Sequence, residues 1–65
     1  MKRYAVCYVA LSTGEPLVIS ETDNPAEAYK GALQAQKDGL NNVKVADTVE
    51  VMAHDPKAFA AMHRL

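Results

Sequence analysis

Asp23-Asn24-Pro25-Ala26-Glu27-Ala28-Tyr29-Lys30-Gly31-Ala32-Leu33-Gln34-Ala35-Gln36-Lys37-Asp38-Gly39 is the segment around which the rest of the chain is organised. It holds a helix start, an amphipathic body and a helix stop. Asn24 or Asp23 can accept a hydrogen bond from a free N–H of the first turn. Pro25 suits the first helical position, where its missing donor is not needed. Glu27 sets a negative charge at the positive end of the helix dipole. Gly39 can take the left-handed conformation that ends a helix. At about 100° per residue, Pro25, Ala28, Tyr29, Ala32, Leu33, Gln36 and Leu40 share one side, flanked by Ala26 and Ala35. Glu27, Lys30, Gly31, Gln34, Lys37 and Asp38 share the other. The inner stripe is mostly small, so the helix can approach a sheet closely. Gly31 falls toward solvent, where it costs about 1 kcal/mol against alanine. Gln36 interrupts the stripe, either in a frayed last turn or in a hydrogen bond across an interface.

Outward from this helix the chain reads as strand or short helix. Tyr4 to Leu11 is a strand, apolar on both sides: Tyr4, Val6, Tyr8 and Ala10 point one way, Ala5, Cys7, Val9 and Leu11 the other. Such a strand is expected at the centre of a sheet, covered on both faces. Ser12-Thr13-Gly14-Glu15-Pro16 is a turn by composition, and Leu17 to Glu21 returns as the second strand of a hairpin. After the helix, Val43 to Ala53 reads as a third strand, with Val43, Val45, Val49, Val51 and Ala53 on its apolar side. Asp47 breaks that side, and a bulge that turns it to solvent is expected. If buried, it needs a partner or a raised pKa. Asp55 and Pro56 restart the helical signal, and Ala58, Phe59, Ala61, Met62 and Leu65 form the inner side of a short C-terminal helix.

The expected fold is therefore α+β, of β-β-α-β-α order, over residues 1–65 as one small domain. A right-handed strand-helix-strand crossover makes the third strand parallel to the second. The sheet is then three-stranded, of order 2-1-3 and largely antiparallel. The main helix covers one face. The other face needs cover from the C-terminal helix or from a second copy of the chain. A chain this short buries only about 60% of its unfolded surface. It has one cysteine and no Cys/His cluster, so neither a disulfide nor a structural zinc is on offer. Of the usual staples for a small core, oligomerisation remains, and a homodimer is expected.

Composition excludes more than it assigns. A net charge of −1 argues against general nucleic-acid binding. No apolar run approaches the roughly 20 residues of a membrane span. Lys2-Arg3 before Tyr4–Leu11 has the outline of a signal peptide, but removing it would leave almost no sheet. A single buried-looking thiol suits the cytoplasm. Cys7 lies between valine-rich neighbours with no basic residue adjacent, so it reads as core, not as a nucleophile. Ser12, Thr13 and Ser20 lack a nucleophile-elbow context, and Gly14, Gly31 and Gly39 are too scattered for a phosphate loop. His54, Asp55 and His63 are the nearest approach to a metal or acid–base set. Nine helical residues apart, the two histidines fall on opposite sides, so they converge only across a dimer. No cofactor is expected.

The run Ser20-Glu21-Thr22-Asp23-Asn24-Pro25-Ala26-Glu27-Ala28 resembles the strand-to-helix corner of HicB-type antitoxins and of many other small α/β domains. It spans under a quarter of the chain. Those antitoxins place more strand before the corner and append a DNA-binding element, and neither is evident here.

The leading functional expectation is a non-enzymatic, homodimeric interaction or regulatory protein that binds another protein, in the manner of a small accessory or phage-type modulator. Its candidate surface is aromatic and apolar: Tyr4, Tyr8, Phe59, Met62 and Leu65. The alternative is a dimer that binds a small molecule or metal, with an enzyme site at the subunit boundary. A further alternative is an antitoxin-like regulator touching nucleic acid through Lys2, Arg3, Lys30 and Lys37.

Overall fold

In the computed structural model, which describes residues 2–65, Tyr4–Val9 (β1) lies between two antiparallel neighbours. Pro16–Thr22 (β2) pairs on one side and Lys44–Asp47 (β3) on the other. The order 2-1-3 expected from the pattern is present, and a fourth strand, Met52–His54 (β4), pairs antiparallel to β3 and extends it to β2-β1-β3-β4. The helices are Pro25–Lys37 (α1) and Pro56–Met62 (α2). The class is α+β as expected, with four strands where three were read.

The difference lies in Val43–Ala53. This segment is not one strand. It turns back at Thr48–Val51 and makes a β3–β4 hairpin. Asp47 is the cause, and it is neither bulged nor turned to solvent. Its side chain is buried, and its Oδ1 accepts the Val49 N–H at 2.9 Å and the Glu50 N–H at 3.2 Å. The carboxylate thereby supplies the turn that the sequence elsewhere assigns to glycine or proline. The irregularity in register is in the other hairpin: Val6 pairs Ser20 and Cys7 pairs Val18, so Ile19 is the extra residue.

Local rules account for α1. Asn24, not Asp23, is the cap: its Oδ1 accepts the Ala26 N–H at 2.9 Å. Asp23 instead accepts the Arg3 backbone N–H at 2.8 Å. At the far end Gly39 takes φ +83°, and Leu40 N–H reaches back to the Ala35 carbonyl at 3.1 Å, the closed helix end that glycine permits. The buried stripe is Ala28, Ala32 and Ala35, so Ala35 lies inside it, while Leu33 and Gln36 are exposed. Gly31 does not face solvent. A Cβ there would stand 3.3 Å from Val6 Cγ2 and 3.6 Å from Ser20 Oγ. Size, not hydrophobicity, selects the face, because small residues let the helix backbone settle against the sheet.

The core joins Tyr4, Val6, Val43 and Val45 to Ala28, Ala32, Ala35 and Phe59. Both helices therefore lie on the same side of the sheet, and α2 packs on α1 and β3. The C-terminal helix does not cover the second face, and β1 is covered on one side only. Phe59 fixes this choice. It is fully buried, with its ring 5.3 Å from that of Tyr4 in an edge-to-face contact and 4.3 Å from that of His63.

Candidate interaction surface

The register defines what the uncovered face presents. Ala5 pairs Glu21 and Ala46, and Ala46 pairs Ala53; Cys7 pairs Val18 and Lys44; Val9 pairs Pro16. Because side chains alternate along a strand, these residues share the face opposite Tyr4, Val6 and Val45. Val18 is 62% exposed, while Cys7 and Val9 are half-buried. Ala5 is small enough to be shielded by the strands on either side of it. The face is apolar except for Glu21 and Lys44, which stand on opposite sides of β1.

A second apolar surface is the tip of the β3–β4 hairpin. Val49, Val51 and Met52 are exposed, and Val51 has φ +54°. That conformation is costly for a β-branched residue. The tip is anchored from behind. Arg3 donates from Nη2 to Asp47 Oδ2 at 3.2 Å and from Nε to Oδ1 at 3.4 Å. Thr48 donates its backbone N–H to the Arg3 carbonyl at 2.8 Å, and its hydroxyl donates to the same carbonyl at 2.9 Å. The Arg3 guanidinium holds the Asp47 carboxyl below the usual carboxylate range, with the Glu50 and Val49 N–H groups helping and burial opposing. Arg3 also lies 5.2 Å from the centre of the Tyr4 ring.

The candidate residues separate in the structure. Tyr4 and Phe59 are buried in the chain's own core and present no surface. Tyr8 is half-buried against that core, whereas Met62 and Leu65 are exposed. His54 and His63 do not fall on opposite sides. His54 ends β4 and is no part of α2, so both rings meet Phe59, His54 at 6.5 Å and His63 at 4.3 Å. The His54 Nε2 is buried without a hydrogen-bond partner among the described residues. Asp55 is occupied as the α2 cap, accepting the Lys57 N–H at 3.1 Å. Among the described residues no three His, Cys, Asp or Glu side chains gather to hold a metal. Burial pushes the Cys7 thiol up, with the Lys44 ammonium opposing, and Cys7 Sγ lies 3.6 Å from the Lys44 carbonyl. Of the basic residues considered for nucleic acid, Arg3 is committed to Asp47.

Sequence reasoning missed the Arg3–Asp47 pair and the hairpin tip. The available signal was Asp47-Thr48, a side chain that bonds its own following backbone. An open polar groove of about 550 Å³ separates Ser20–Thr22 of β2 from Glu27, Lys30 and Gln34 of α1. Among the described residues no helix is long and apolar enough to cross a membrane.

Fold and surface together define a class: a small α+β domain with two helices layered on one face of an antiparallel sheet and an apolar face left open. No family model, curated protein or solved structure matches the chain.

Proposed function

We infer that this protein is a small homodimeric interaction module that acts by binding another protein and not by catalysis. The one-sided layering carries the reading: α1 and α2 both cover the Tyr4–Val6–Val45 side, and the other face of the sheet stays apolar and bare. A contiguous apolar face in water marks an interaction site, and a chain of 65 residues gains stability by covering it. A second copy supplies the cover. Val49, Val51 and Met52 at the hairpin tip, with Met62 and Leu65 at the C-terminal end, stay free for a different protein. The positive φ of Val51 supports a use for the tip, since backbone strain concentrates where a structure is used.

Sedimentation equilibrium at micromolar concentration tests the dimer. The expected mass is that of two chains, and a mass of one chain throughout overturns the reading. Partner binding is tested by capture from the native host. A protein held by the wild type and lost on Val51→Asp, with the dimer intact, supports the tip as the docking surface; retention in that variant removes it.

A further inference from the structure

We propose that the bare sheet face is closed by the same face of a second copy, turned about a two-fold axis that runs along β1. This rests on the dimer reading above and specifies its geometry. Two features of the face argue for it.

The first is height. The row through Ala5 continues as Ala46 and Ala53, and the next row holds Cys7 at the centre. Short side chains on the middle strands let two sheets approach the separation of about 10 Å at which faces stack. The taller apolar residues, Val9 and Val18, stand toward one end; in a copy whose strands run the same way, Val9 on β1 meets the other Val9, while Val18 on β2 lies over β3 of the copy.

The second is charge. Three charged residues lie within the strands. Asp47 faces the helices, while Glu21 and Lys44 face out, one on β2 and one on β3. Glu21 stands in the Ala5 row and Lys44 in the Cys7 row, one pleat apart. An axis along β1 lays β2 of one copy over β3 of the other. Each Glu21 then comes within reach of the other copy's Lys44, and the pair forms twice, as a two-fold interface requires. An axis across the strands lays β2 on β2 and β3 on β3, which keeps each Glu21 two strands away from the other copy's Lys44. The charge pattern therefore selects the first arrangement.

Charge reversal tests it on the whole chain. Glu21→Lys places two ammonium groups together and weakens the dimer by at least about tenfold in sedimentation. The double variant Glu21→Lys with Lys44→Glu restores it to within about threefold of wild type. Cys7 alkylation by a maleimide needs no variant, and its rate falls as the wild-type chain is concentrated through its dimerisation range. A wild-type dimer that ignores Glu21→Lys and labels Cys7 equally at every concentration overturns this geometry and leaves the dimer reading standing. A wild-type monomer at every concentration overturns both.

Discussion

Asp47 ties the start of β1, through Arg3, to the turn between β3 and β4. It is 4% exposed and takes hydrogen bonds from Arg3, Val49 and Glu50. A buried carboxylate is tolerated only when it is paired in this way. Asp47→Asn removes the charge, keeps the shape and leaves the Arg3 guanidinium without its anion, so thermal melts at neutral pH should fall by several degrees. The pH dependence follows from the depressed carboxyl. A group whose folded pKa lies below its unfolded value stabilises the fold above the unfolded value. For Asp47 the contribution is complete above the ordinary carboxylate pKa of 3.8 and is lost as pH falls through the lower folded value. Wild type and Asp47→Asn should therefore differ at pH 7 and converge in strong acid. Parallel melting curves down to pH 2 would show that the pair is not what stabilises the native state. Asp47 was visible in the sequence as a misfit on an apolar strand. Its partner was not, because Arg3 lies 44 positions away and nothing local links the two.

At the scale of elements, the β3–β4 hairpin shows where pattern reading fails. Val43, Val45, Asp47, Val49 and Val51 keep a two-residue period straight through the turn. No glycine, proline or asparagine marks Thr48–Val51, so the period reads as a single strand. The turn is closed by one carboxylate and by forcing Val51 to φ +54°. A left-handed residue with a Cβ costs about 1–2 kcal/mol, and glycine loses about 0.5–1 kcal/mol in entropy on folding. Val51→Gly should accordingly raise stability by about 0.5–1 kcal/mol. The measurement is the urea midpoint at unchanged slope, and a lower midpoint would mean that the Val51 side chain packs in the native state. The α1 helix shows the opposite case. Its cap, its proline and its glycine stop are all where the sequence places them. Only its rotation shifts, toward Gly31 and Ala35, because close approach to Val6 and Ser20 favours the smallest side chains.

For the whole molecule, Phe59 decides which layer α2 joins. A helix of seven residues is not stable alone, and this one buries Pro56 and Ala60 beside its one large ring, Phe59, which is set among Tyr4, His54 and His63. Phe59→Ala should cost about 3–5 kcal/mol, close to all that a core of this size supplies. The variant should lose its far-UV circular dichroism signal at room temperature, and a folded, cooperative variant would place the weight of the core elsewhere. With α2 beside α1, the opposite face of the sheet keeps its apolar side chains uncovered, a consequence of the layering and not of any one residue.

Local pattern alone fixes where both helices begin, where α1 stops, that Tyr4–Val9 pairs on both edges, and the order of the first three strands, whereas α2 stops at Met62, short of the Leu65 that its pattern reaches. Those features rest on neighbours in the chain: caps, prolines, a glycine stop, and the two-sided apolarity of Tyr4–Val9. Tertiary structure decided the rest: the turn after Asp47, the face that α2 chose, and the side of the sheet left open. These rest on contacts between residues far apart in sequence, Arg3 with Asp47 and Tyr4 with Phe59, whose energies exist only once the chain has folded.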